Sequence, residues 1–69
     1  MALQPHEERM IEEATELGIK VRNLGSFLEG EEFKSLDATD QRLLTQQHGH
    51  MISYFSTLQK RINRISTKA

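Results

Sequence analysis

The residues best suited to chemistry in this sequence are histidines and arginines at helical spacing. His6 and Arg9 stand three positions apart, so on a helix they would share a face, where they could stack on an aromatic base and hold a phosphate. The last ten residues contain Arg61 and Arg64 and no acid. Copies of one arginine brought together by symmetry are costly unless an anion lies between them. The basic segment therefore predicts contact with an anionic ligand where chains meet.

The remaining polar groups predict neither catalysis nor a metal site. His48 and His50 are two positions apart, which turns them about 200° away from each other on a helix and prevents a shared ion. We expect His48 to be hydrogen-bonded between helices and His50 to be solvated or at an interface. No serine stands in a recognisable nucleophile motif, and there is no cysteine. We therefore expect a protein that is not an enzyme, with no catalytic residue, metal or cofactor.

Two apolar stripes at helical spacing must position these groups. The first stripe consists of Met10, Ala14, Leu17, Val21, Leu24 and Leu28, and the second of Leu44, Met51, Phe55, Leu58, Ile62 and Ile65. Pro5 suits a first helical turn, Gly30 is expected to end that helix with a left-handed cap, and the segment from Asp37 to Asp40 resembles a capping box. The pattern predicts helix 1 over about 5–29, a connection with a short helical turn over 30–37, and helix 2 over about 38–65.

The predicted fold is all-α, with a single helical-hairpin domain over residues 1–69 formed by two antiparallel helices and a short connecting helical turn. A hairpin of this size buries little surface, and without cysteines it has no disulfide cross-link. We therefore expect a homo-oligomeric helical bundle. Gly18 and Gly25 stand seven apart within helix 1 and predict a close helix crossing or, less favoured, the approach of a flat ligand.

Charge and hydropathy exclude two classes of partner. The net charge is −1, from 10 acidic and 9 basic residues, which argues against capture of a DNA or RNA polymer. No apolar run has the length of a signal peptide or membrane span, so we expect a soluble intracellular protein without a membrane partner.

The ordered combination of three motifs adds a resemblance. The chain has a His-x-x-Arg start at His6, leucines seven apart at Leu17 and Leu24, and a Gln-x-x-x-Met-x-x-Tyr run from Gln47 to Tyr54. From about residue 5 to residue 62 it resembles the small phage helical-hairpin domain of anti-CBASS and anti-Thoeris nucleotide sponges. The resemblance implies a phage-encoded immune-evasion protein of the host cell cytoplasm that sequesters cyclic di- and/or trinucleotides, such as cyclic GMP-AMP, without cleaving them. It also implies a homohexamer with two types of pocket.

The resemblance also implies site residues. Arg9 matches an arginine of the family's opening motif and Lys20 a recurring lysine, which makes them the leading phosphate donors of a nucleotide pocket. The candidate base or ribose neighbours in that pocket are His6, Asn23, Ser26 and Phe27. Arg61 matches a late arginine, and Arg64 follows one turn later; one of the two would line a second, trinucleotide-type pocket. The alternative is a structural oligomerisation or adaptor module without a small-molecule ligand, for which the stripes alone suffice.

Overall fold

The chain is helical throughout the part that the computed structural model describes, namely residues 3–68, with side chains through residue 65. Helix α1 spans Pro5–Leu28, α2 spans Glu31–Lys34 and α3 spans Ala38–Lys68, with no strand among these residues. The all-α prediction is confirmed. Helix α3 continues to Lys68, three residues beyond its expected end. Residues 1, 2 and 69 of the expected domain lie outside the described residues.

The two ends of α1 are closed by different local devices. At the start, Pro5 occupies the first turn, and the Gln4 backbone N–H donates to Glu7 Oε1 at 2.9 Å. At the other end the expected left-handed cap is wrong, because Gly30 is extended, with φ −92° and ψ 171°. Its N–H donates to the Phe27 carbonyl oxygen at 3.0 Å, which closes the last turn. Since α2 begins at the next residue, an extended backbone is what this position requires.

The connection is fastened to the start of α3. The Gln41 Nε2 group donates to the carbonyl oxygens at the end of α2, at 3.0 Å to Phe33, 3.2 Å to Lys34 and 3.0 Å to Leu36. Asp37 precedes α3, and its Oδ1 accepts the Asp40 backbone N–H at 2.9 Å, the Asp37 half of the predicted capping box. These side chains thereby add hydrogen bonds to backbone groups at two helix ends, where the hydrogen-bond pattern within each helix stops.

The contacts between α1 and α3 run in opposite chain directions. His48 of α3 lies against Gly25, whereas Tyr54, farther along α3, contacts Glu13, nearer the start of α1. The two long helices are therefore antiparallel where they meet. As a result, the beginning of α1 lies beside the end of α3, at the end of the molecule away from α2.

The glycines of α1 make room for side chains of α3. A Cβ at Gly18 would lie 3.1 Å from Phe55 Cε1, and one at Gly25 would lie 3.3 Å from His48 Nε2. The same imidazole is hydrogen-bonded to the Val21 carbonyl, as its expected role between the helices requires. Both glycines thus serve close packing of the helices, the favoured interpretation of their spacing.

The core of one chain is small. The buried apolar residues among those described are Met10, Ala14 and Leu58. The accessible surface is 5487 Å², against about 4,500 Å² for a globular monomer of 8.0 kDa. The radius of gyration is 15.6 Å, against about 11 Å for a compact domain of this length. A single chain is therefore a thin rod that leaves much apolar surface uncovered. None of the described helices is long and apolar enough to cross a bilayer.

Candidate functional site

A basic pocket lies where the beginning of α1 meets the end of α3. We call it the open-end pocket; its volume is about 240 Å³, and it is lined by His6, Glu7, Met10, Arg61, Arg64 and Ile65. The antiparallel packing of the helices is what brings His6 beside arginines that are more than fifty positions away in the chain. From the sequence we expect His6 to share a pocket with Arg9, and Arg61 or Arg64 to line a second pocket. The structure instead places His6 in one pocket with both of these late arginines.

The chemistry of the open-end pocket suits an anion with a flat, partly apolar body. Arg61 and Arg64 supply two guanidinium groups, against one carboxylate from Glu7. Guanidinium groups bind phosphate oxygens through paired, charge-assisted hydrogen bonds. Met10, which is only 8% exposed, and Ile65 supply apolar surface beside these charges. The pocket can therefore hold a phosphate and the face of a base attached to it.

Lys20 lies in a second, more polar groove halfway along the rod. This groove has a volume of about 280 Å³ and is lined by Glu13, Glu16, Leu17, Lys20 and Tyr54. The Tyr54 hydroxyl donates a hydrogen bond to the Glu13 carboxylate across the two helices. That bond, with desolvation and the Glu13 charge, raises the pKa of Tyr54, while the charge of Arg61 acts in the opposite direction. Two carboxylates thus share the groove with the Lys20 ammonium and offset its charge.

The other predicted nucleotide contacts are spread along α1. Arg9, Asn23 and Ser26 are exposed, and Phe27 is half-buried, with its ring packed edge-on against Phe33 at a centroid distance of 6.3 Å. His6 and Lys20 are fourteen residues apart, which is about 21 Å along a helix. One chain therefore does not gather the six residues of the predicted pocket. As a set they stay a prediction for a site shared between chains.

One hydrogen bond between the two long helices is not predicted by the sequence. Tyr54 stands out in the sequence only as the last residue of the Gln-x-x-x-Met-x-x-Tyr run, yet its hydroxyl donates to the Glu13 carboxylate of the same chain. Both residues flank the apolar stripes of their helices. The pair could therefore have been predicted if the register of α1 against α3 had been known. That register depends on His48 packing onto Gly25, which a single stripe does not reveal.

No group of three or more histidine, cysteine or acidic side chains suited to a metal ion occurs in the part of the chain that the structure describes. His48 is engaged with the Val21 carbonyl at 3.1 Å, and His50 is exposed on α3. The two imidazoles therefore have separate surroundings.

Comparison with known proteins places the chain in a family. The model of the family described as Sequestin matches residues 4–64. The chain is 39% identical over 57 residues to an uncharacterized 7.5 kDa protein from the denB-rIIB intergenic region of Enterobacteria phage T4, an alignment that covers 83% of this chain and 89% of that protein. No solved structure gave a significant match. These matches confirm the resemblance to a family of phage sequestering proteins: the chain belongs to the Sequestin family and is a binding protein rather than an enzyme.

Proposed function

We propose that this chain is a phage-encoded protein that sequesters cyclic di- and/or trinucleotide messengers in the host cytoplasm without cleaving them. The observation that carries the proposal is the grouping of His6, Arg61 and Arg64 in the open-end pocket of a Sequestin-family chain. Each phosphodiester of a cyclic nucleotide bears one negative charge. An arginine pair with an adjacent imidazole provides both the donors for that charge and a surface on which a base can stack.

The open-end pocket is too small to enclose such a ligand within one chain. Its volume of about 240 Å³ lies below the roughly 300 to 1,000 Å³ typical of small-molecule sites. We therefore include assembly in the proposal: helical hairpins associate into a homo-oligomer, a hexamer by family resemblance, and copies of the open end meet around the ligand. Symmetry would then place several arginines around one cyclic trinucleotide, and the anion would relieve their repulsion.

A second pocket, for cyclic dinucleotides such as cyclic GMP-AMP, completes the proposal. Arg9 and Lys20 would hold its phosphates, and the neighbours of its bases and riboses would be His6, Asn23, Ser26 and Phe27. These side chains lie along α1, so they would converge only across a contact between chains. In the Lys20 groove the carboxylates of Glu13 and Glu16 outnumber the single Lys20 ammonium, so the groove of one chain does not attract an anion by itself, and the positive charge of Arg9 is needed beside it.

Calorimetric titration with a panel of cyclic di- and trinucleotides tests the open-end pocket. We expect Arg61→Ala to weaken trinucleotide binding at least tenfold. Lys60→Ala is the matched control, because it removes a neighbouring positive charge that does not line the pocket. Equal losses in the two variants would contradict the assignment. Nucleotide recovered intact after denaturation of the complex would distinguish storage from cleavage.

The dinucleotide pocket has its own matched pair of variants. Lys20→Ala should weaken cyclic dinucleotide binding, whereas Arg22→Ala, which removes another exposed cation from α1, should not. If wild-type protein binds no member of the panel yet still assembles, the chain is a structural module and the sequestration proposal fails. Native mass spectrometry of the same mixtures reports the number of copies and of ligands in one measurement.

A further inference from the structure

The middle of α3 is free of charge on every side. Residues 43–59 contain no Asp, Glu, Lys or Arg, although 28% of the whole chain is charged. One side of this segment packs on α1, which accounts for its apolar residues there. The exposed side has no such explanation within one chain, since solvated helix faces are normally charged. Depletion of charge on an exposed surface is a property of the centres of protein interfaces.

One exposed edge of α3 combines this uncharged centre with opposite charges at its two ends. We call it the α3 edge, and it is formed by Asp40, Leu43, Gln47, His50, Tyr54 and Arg61, spaced by three, four or seven residues and all exposed. A shallow groove of about 590 Å³ follows it between Leu43 and Tyr54, and these two side chains are 53% and 45% exposed. An acid thus stands at the beginning of the edge and a base at its end.

We propose that a second copy of this chain packs its own α3 edge antiparallel on this one. A two-fold axis between His50 and Met51 would set Asp40 against the partner's Arg61 and Gln47 against the partner's Tyr54, because each pair has the same midpoint along the chain. In a parallel arrangement the axis would pair Asp40 with Asp40 and Arg61 with Arg61, so charge selects the antiparallel one. The proposal deepens the assembly step of the proposed function and does not depend on a ligand.

The chain as a whole exposes enough extra surface to supply such a contact. The chain exposes about 1,000 Å² more than a globular monomer of its mass, and a standard interface buries about 800 Å² on each partner. The contact would also act on the nucleotide site. Because Arg61 lines the open-end pocket, a carboxylate from the partner's Asp40 would orient its guanidinium there.

A single charge placed at the two-fold axis tests this surface. His50→Glu sets two carboxylates face to face at the axis, and glutamate is a better helix former than histidine, so α3 itself should persist. We expect sedimentation velocity at micromolar concentration to show an associated wild type and a His50→Glu variant with at least tenfold weaker association. Ser56→Glu is the control, since it adds the same charge to α3 away from the edge. Equal behaviour of the two variants would overturn the proposal, as would a wild type that sediments as a monomer.

A charge exchange tests the register. Asp40→Arg and Arg61→Asp should each weaken association, and the double variant should recover it, because both symmetry-related pairs are restored with reversed polarity. A double variant that associates no better than the single ones would overturn the antiparallel pairing. Wild-type protein that associates but binds no cyclic nucleotide would contradict the proposed function and leave the α3-edge contact standing. Failure of the proposed function and failure of this contact are therefore distinguishable.

Discussion

The Nε2 atom of His48 lies 3.1 Å from the carbonyl oxygen of Val21, across the contact between the two long helices. Because a carbonyl oxygen can only accept, this nitrogen carries the proton and donates. The imidazole occupies the space left by the missing side chain of Gly25, so one histidine fixes both the spacing and the register of the helices. His48 lies toward the connection between the helices, whereas the open-end pocket lies at the opposite end of the rod.

Replacing this histidine should destabilise the fold modestly. His48→Leu removes the donor, and we expect a loss of about 0.5 to 1.5 kcal/mol in the free energy of unfolding. The cost stays near the lower limit because a helical carbonyl such as that of Val21 also has a partner within its own helix. Urea unfolding at one fixed protein concentration measures it. His48→Gln keeps an N–H donor and is the control; an equal loss in both variants would show that shape, and not the hydrogen bond, matters.

Two glycines in helix interiors should respond differently to alanine. Alanine gains about 1 kcal/mol over glycine in a helix. At Gly49 no atom lies within 4 Å of the added Cβ, so Gly49→Ala should gain most of that stability. At Gly18 the Cβ would meet Phe55 Cε1 at 3.1 Å and Cζ at 3.3 Å, so the ring must move and part of the gain is lost. Thermal unfolding of the two variants side by side measures both gains in stability. Equal gains would contradict the expected difference between Gly49→Ala and Gly18→Ala.

The helices could be predicted from sequence because their apolar residues repeat at helical spacing and Pro5 marks a start. The end of α1 could not be predicted in the same way. Gly30 is compatible with a left-handed cap and with an extended backbone, and only the immediate start of α2 selects the second. Local rules fail here because the choice depends on the next element.

The three basic residues that line the open-end pocket stood out in the sequence one by one, but not as a group. Arg61 and Arg64 were evident from charge and His6 from its spacing to Arg9. That His6 joins the two arginines depends on the register of α1 against α3, which rests on the packing of His48 into the gap at Gly25. A stripe shows which face is buried, but it does not show how far one helix slides along the other.

The start of α3 depends on one carboxylate. Asp37 Oδ1 accepts the Asp40 backbone N–H at 2.9 Å, and removal of a capping side chain costs about 1 kcal/mol. Asp37→Ala should therefore lower the free energy of unfolding by about that amount in a urea titration. Asp37→Asn keeps an oxygen acceptor and should retain most of the stability. If asparagine were as harmful as alanine, the charge of Asp37 near the helix start, and not its hydrogen bond, would be the main contribution.

The bond between Tyr54 and Glu13 should make stability fall at alkaline pH. Only the neutral phenol can donate, so the folded chain holds this proton more tightly than the unfolded chain, and the pKa of Tyr54 is raised above 10.0. The contribution is complete below the ordinary tyrosine pKa of about 10 and is lost as the pH rises through the raised value. Tyr54→Phe removes this dependence. The free energy of unfolding of wild type should therefore decline more steeply than that of the variant above about pH 10.

A direct titration of the phenol is possible because the chain has one tyrosine and no tryptophan. The near-ultraviolet absorbance of the phenolate therefore reports Tyr54 alone, in the folded protein and in urea. Glu13→Ala removes the acceptor and the charge that raise the pKa, so its folded-state titration should move down toward that of the unfolded chain. Glu12→Ala, which removes a carboxylate one position away on another side of α1, should leave the titration where it is. Coincident titrations of wild type and Glu13→Ala would show that the two helices do not hold this contact in solution.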